Sequence, residues 1–132
     1  MYEQTYFLMG RCYYNQGRQE LALKAFEKAR LLNPSDAQVY IWIGSVYGTR
    51  GDYLKALDFF KESVRLEPAN TNAYFNMAIS YIKLNRPEDA RAALETAEKI
   101  KETDFMQVQK LAALRQALEA GKTQAPAAGQ QS

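Results

Sequence analysis

The sequence predicts an all-α fold, a solenoid of three antiparallel helix pairs closed by a seventh helix, and three observations predict it. The first is a repeat at a stride of 34 residues. Tyr40, Ile43, Gly44, Tyr47, Gly51, Ala56, Phe60 and Pro68 have counterparts one stride back in Tyr6, Met9, Gly10, Tyr13, Gly17, Ala22, Phe26 and Pro34. One stride forward the types return as Tyr74, Met77, Ala78, Tyr81, Asn85, Ala90 and Leu94, with Glu102 where proline stood. The second is the spacing within a unit: Tyr40, Ile43, Gly44 and Tyr47 fall on one face of a helix, and Ala56, Phe60 and Ser63 on one face of another. The third is that helix-starting residues recur at the same stride, as Asp36, Asn70 and Asp104. Repeated units of this length each bury one face only against a neighbour, which is how a helical stack is built.

The elements follow in order. Met1 to Gln16 forms the first helix, with no Ser, Thr, Asp or Asn just before Glu3 to cap it. It carries bulk on more than one face: Tyr2, Tyr6, Met9 and Tyr13, and also Phe7, Leu8 and Tyr14. That leaves it undercapped for a terminal unit, so either another unit precedes it or something covers it. Gln19 to Leu32 is the second helix, Ala37 to Arg50 and Tyr53 to Leu66 the next pair, and Thr71 to Leu84 and Pro87 to Ile100 the third. Gly10, Gly44 and Ala78 occupy the position where a second helix must come close. Gly17 and Gly51 suit the left-handed residue that ends a helix, and Asn85 is the usual second choice there. Pro34 and Pro68 end the second helices, because proline lacks the amide donor and restricts the residue before it. Pro87, Glu88 and Asp89 suit a first helical turn.

Phe105 to Ala120 stays in phase as a seventh helix. Asp104 with Gln107 reads as a capping box. Phe105, Val108, Leu111 and Leu118 form a face able to cover the third unit, while Gln109, Lys110, Gln116 and Glu119 are polar. The segment 121–132 has no periodicity and reads as a disordered tail or linker.

These spaced types resemble the tetratricopeptide repeat (TPR) family over residues 3–104, as units 3–36, 37–70 and 71–104. The resemblance implies a right-handed α-solenoid whose first helices line a concave groove for peptides. At about 100° per residue, that face would present Phe7, Leu8, Arg11 and Tyr14 in the first unit. In the second it would present Ile41, Trp42 and Ser45, and in the third Phe75, Asn76, Ile79, Ile82 and Lys83. Aromatics at Phe7, Tyr14 and Phe75 and the amide of Asn76 are ordinary for the family. Leu8, Trp42, Ile41, Ile79 and Ile82 are departures, and they make the groove oily. For Trp42 two readings stand: a partly exposed anchor between Leu8 and the Ile79 face, or a ring packed on Ile79. Heat-shock co-chaperones of this family hold a peptide's terminal carboxylates with lysine, asparagine and arginine. Here Phe7, Arg11, Trp42, Asn72 and Asn76 stand in those places, so that clamp is missing. Bacterial secretion chaperones of the family have an oily groove more like this one.

Composition excludes several functions. There is no histidine, the commonest general base and metal ligand, and Cys12 is the single cysteine, so no catalytic set, metal site or cofactor is expected. Cys12 itself is expected to be buried as a small apolar residue. Net charge is +2, too small for nucleic-acid binding driven by bulk charge. No run of about 18 apolar residues is present to span a membrane. The expected function is a non-enzymatic protein-interaction module for a short apolar, possibly acidic peptide. The alternative is a self-assembly unit forming homo-oligomers through its bulky first helix. A cytoplasmic location is expected, and an exported mature domain would read the same.

Overall fold

The computed structural model describes residues 2–100 and 104–131, with side chains as far as Gly121. Met1, Glu102 and Ser132 lie outside the described residues. Among the described residues the secondary structure is entirely helical. The helices are α1 (Glu3–Asn15), α2 (Gln19–Leu32), α3 (Ala37–Thr49), α4 (Tyr53–Leu66), α5 (Thr71–Lys83), α6 (Pro87–Glu98) and α7 (Phe105–Gln131). The chain divides into two compact units, Met1–Pro68 and Ala69–Ser132.

In the first unit, α1 packs against α2 and α3 against α4, and α2 also packs against α3. The reason is visible at the two glycines. A methyl group on Gly10 would lie 2.5 Å from the Phe26 ring, and one on Gly44 would lie 2.6 Å from the Phe60 ring. Each phenylalanine ring therefore sits against the backbone of the facing helix, a contact that any side chain at the glycine would block. Phe26, Ala22 and Ala29 join Val39, Ile43 and Val46 in one core. Gly17 and Gly51 have φ of 76° and 83°, the left-handed turn that reverses the chain between paired helices.

Caps fix the starts. Asp36 accepts from the Gln38 amide at 3.0 Å, and Asp52 from the Lys55 amide at 3.3 Å. The N-cap of α1 is Tyr2, whose side chain makes no cap bond. The first helix therefore opens without a side-chain cap, as its sequence predicts. Cys12, expected to be buried, is exposed. It lies two residues past Gly10, about 200° round the helix from the face that meets Phe26, so the packing of α1 turns it outward.

In the second unit, α5 pairs with α6, and α7 packs on both. Asn70 caps α5 through the Ala73 amide at 3.2 Å, and Asn85 takes the left-handed place with φ 58°. The capping box of α7 is reciprocal: the Asp104 amide donates to Gln107 Oε1 at 3.1 Å and the Gln107 amide to Asp104 Oδ1 at 2.8 Å. Of the four residues expected to cover the third unit, Leu111 and Leu118 are buried, as are Leu94, Ala90 and Ala97 of α6, whereas Phe105 and Val108 are exposed. Two ion pairs tie α7 to α6, Arg91 to Glu119 at 3.1 Å and Arg115 to Glu98 at 2.8 Å. α7 runs on to Gln131, so the backbone past Ala120, read from the sequence as a tail, is helical.

Candidate functional site: the faces of the first helices

In the first unit the face is built on aromatic rings. Trp42 is half-buried and projects from α3 towards α1 and α2. Its ring stacks on Phe26 with centroids 6.0 Å apart, and meets Tyr14 edge-on at 5.4 Å and Phe7 edge-on at 6.4 Å. The Arg11 guanidinium lies over this ring at 5.3 Å and over Phe7 at 5.9 Å. Tyr14 and Thr49 are hydrogen-bonded at 3.0 Å, and since Thr49 donates to the Ser45 carbonyl at 2.9 Å, Tyr14 is the donor. The result is a fixed aromatic floor with an exposed cation across it.

Several expected site residues are brought together there and others are not. Phe7, Arg11, Tyr14 and Trp42 form one cluster. Leu8 is exposed beside it. Trp42 is held more firmly than an exposed anchor would be, because its ring packs on Phe26, Phe7 and Tyr14. Ile41 is a correction: only 6 % of it is exposed. The helix α3 buries Val39, Tyr40, Ile43 and Val46 as well, and a helix apolar nearly all round is a core helix, which leaves Ile41 no free surface. Ser45 donates to the Ile41 carbonyl at 3.0 Å, so its hydroxyl proton is engaged within its own helix. Arg50 caps the end of α3 and pairs with Glu20 of α2, away from this cluster.

In the second unit Phe75, Asn76, Ile79 and Ile82 are half-buried along α5 and Lys83 is exposed. Part of this face is covered by α7. The Lys110 ammonium sits 4.6 Å over the Phe75 ring, and Gln107 Nε2 reaches Asn72 Oδ1 at 3.5 Å. Sequence reading placed Lys110 on a polar outer surface and missed this contact. The signal was available in the stride. Phe7 meets Trp42 and Tyr14 meets Thr49, each one stride plus one residue ahead. Phe75 and Lys110, like Asn72 and Gln107, stand at that same offset.

One pair of acids was also missed. Glu3 of α1 lies beside Asp36, the cap of α3. Glu3 Oε1 is shielded from solvent and accepts no N–H or O–H. Its carboxyl is pushed up to about 7 by hydrogen bonding with Asp36, then by burial, then by the Asp36 charge. Among the described residues no cluster of acids and cysteine is placed to hold a metal ion, and no helix is long and apolar enough to cross a membrane.

Helix pairs repeating at a fixed stride, with a large residue of one helix seated on a small residue of the other, define an α-helical repeat protein. The tetratricopeptide repeat matches residues 3–36 and again residues 49–115, and the chain belongs to that family. It is 30% identical over 96 residues to anaphase-promoting complex subunit 3 of Schizosaccharomyces pombe, a match covering 73% of this chain and 14% of that protein. It is 25% identical to the BBSome complex member BBS4 of Xenopus tropicalis, covering 73% of this chain and 19% of that one. The chain thus spans less than a fifth of either relative. Among solved structures, the TPR2B domain of yeast Sti1, in its pHsp70 complex, matches with a TM-score of 0.84 at 17% identity, covering 89% of this chain and 96% of that one. The Yersinia enterocolitica type III secretion chaperone SycD, in complex with a peptide of the translocator YopD, matches with a TM-score of 0.82 at 16% identity, covering 90% and 93%. At such identity these structures share the fold.

Proposed function

We propose that this chain is a non-catalytic protein-interaction module that takes a short apolar peptide segment with at least one carboxylate on the faces of its first helices. The observation that carries this reading is Arg11 over Phe7 and Trp42: an exposed cation, meeting no carboxylate among the described residues, laid across an aromatic floor. An apolar side chain can rest on the rings while its own or a neighbouring carboxylate pairs with the guanidinium. Leu8 extends the floor in the first unit, and Ile79, Ile82 and Lys83 offer the same mixture of apolar surface and cation in the second. The pHsp70 complex of the Sti1 domain and the YopD peptide on SycD give the reading its precedent. A lysine–asparagine clamp of the co-chaperone kind is not expected to contribute, since Phe7 and Trp42 stand in its places.

Panning a random peptide library on the wild-type chain tests this. Selected peptides should combine apolar residues with Asp or Glu, and Arg11→Ala should weaken them about tenfold. Basic peptides, or selected peptides indifferent to Arg11→Ala and Lys83→Ala, would refute it. The exposure of Tyr2, Leu8 and Met9 on α1 favours a second reading, self-association. A mass that rises with concentration in sedimentation would support that one.

A further inference from the structure

The two repeats of the first unit differ at one place on the face away from Arg11. In the second repeat Phe59 of α4 stands between two tyrosines of α3, with centroids 6.5 Å from Tyr40 and 5.5 Å from Tyr47, the latter pair nearly parallel at 6°. Arg30, from α2 of the repeat before, covers the same ring at 5.9 Å. Acidic Asp58 and Glu62 flank Phe59 on its own helix. One stride back the tyrosines are conserved in type as Tyr6 and Tyr13, but the ring is gone: Ala25 stands where Phe59 does. An open slot of about 190 Å³ results, walled by Tyr6, Tyr13, Met9 and Leu21 with Ala25 at its floor. Its rim carries Lys24 and Lys28, at the positions of Asp58 and Glu62. Both lysines are exposed, and neither meets a carboxylate among the described residues. The nearby acids Glu27 and Glu20 are already paired with Arg30 and Arg50.

The missing ring and the reversed rim charge point the same way. The second repeat shows what a tyrosine pair in this geometry holds: an aromatic ring. A ring supplied from outside would regain the stacking surface that Ala25 leaves open. Where the filled site has acids on its flank and meets an arginine, the open one has two lysines and suits carboxylates. We propose that this slot docks an acidic helix of a partner protein, which inserts one aromatic side chain between Tyr6 and Tyr13 and sets carboxylates against Lys24 and Lys28. The surface is separate from the Arg11 floor, and a second partner could use it while that floor is occupied.

The probe is a synthetic alanine-rich helix with one central phenylalanine and glutamates three and four residues to either side, titrated into the full chain by calorimetry. Two control peptides replace the phenylalanine by alanine, or the glutamates by lysines. The parent peptide should bind saturably, and each control at least about tenfold more weakly. Ala25→Phe fills the slot from within, as Phe59 does, and should abolish binding while raising Tm. The pair Lys24→Glu and Lys28→Glu, both on the surface, should cost at least about tenfold if Ala25→Phe does not fold. Arg11→Ala should leave this binding unchanged, which separates it from the function proposed above. No binding of the parent peptide, or binding that survives both the folded Ala25→Phe variant and the double lysine variant, overturns the proposal. Binding lost equally on Arg11→Ala places the helix on the Arg11 floor and overturns it as well.

Discussion

The two units solve the same packing problem with different materials. In the first, a phenylalanine lies on a glycine twice over, Phe26 on Gly10 and Phe60 on Gly44, and Trp42 meets Phe26 and two further rings, Phe7 and Tyr14. In the second, Leu94 and Ala78 hold the equivalent places, both fully buried, and the core is completed by Leu111 and Leu118 of α7. The exchange is concerted: a branched aliphatic chain is narrower than a ring, so the facing residue can carry a methyl group. Trp42 and Lys110 make the same point at a second position. Both stand two residues after the tyrosine place or its equivalent and both lie against the phenylalanine one stride and one residue earlier. One does so with an aromatic edge and the other with a cation. A repeat therefore prescribes the size relation between facing residues, and each pair meets it in its own way.

The comparison breaks most severely at α7. Leu111→Ala with Leu118→Ala should cost at least about 4 kcal/mol, as two buried leucine truncations do, read as a fall in Tm and in amide protection of α6 and α7. Removing the ion pairs with Arg91→Ala or Arg115→Ala should cost about 1 kcal/mol or less each, because at least one partner of each pair is exposed to water. A larger loss from the arginines would mean that charge and not aliphatic packing fixes α7.

At the second matched position, Trp42→Ala should cost about 3 kcal/mol, since the indole is packed on Phe26, Phe7 and Tyr14. Lys110→Ala should cost about 0.5–1 kcal/mol, the scale of an exposed cation over a ring. Chemical denaturation of the two variants side by side reads the contrast.

Next comes the small residue. Gly44→Ala should lose about 1–3 kcal/mol to overpacking against Phe60, partly offset by about 1 kcal/mol of helix propensity. Phe60→Leu, which installs the pair found in the third repeat, should recover part of that loss when combined with it. A double-mutant cycle with no coupling would show that the glycine answers to the backbone and not to the ring.

Charge at the start of the first unit gives a smaller effect, with a definite sign. The Glu3 carboxyl is raised from 4.5 to about 7 in the folded chain. Between those values the folded state holds a proton that the unfolded state has released, so stability falls as pH rises through that window and is level above it. Both side chains are only half-buried, so the total should be about 1 kcal/mol or less. Glu3→Gln should remove the slope, with Tm measured at about pH 5 and about pH 8; an unchanged slope would assign it elsewhere.

The smallest change expected is a gain. Ser63 is fully buried and its Oγ has no hydrogen-bond partner, at a place where the other two repeats carry Ala29 and Ala97. Ser63→Ala should raise stability by up to about 1 kcal/mol, because it removes an unsatisfied polar atom without changing the volume much. A loss on calorimetry would mean that the hydroxyl has a use in this repeat that alanine lacks.

The sequence by itself determined the helical repeat, the small residues at Gly10, Gly44 and Ala78, the left-handed turns at Gly17, Gly51 and Asn85, and the caps at Asp36, Asn70 and Asp104. All of these are local: each depends on a residue's own conformational range or on neighbours within a turn or two. What lay beyond it were relations between helices. The family resemblance and the helical period together turned Ile41 toward a groove, but the packing of α3 buries it. It gave Cys12 no direction, while the seating of Gly10 on Phe26 turns it out. Trp42 could stand free or be packed, and only the juxtaposition of α1, α2 and α3 placed it on Phe26. The pairing of Glu3 with Asp36 and the slot over Ala25 likewise exist only where separate helices meet, since distances between side chains on different elements are fixed by tertiary packing and not by their order along the chain.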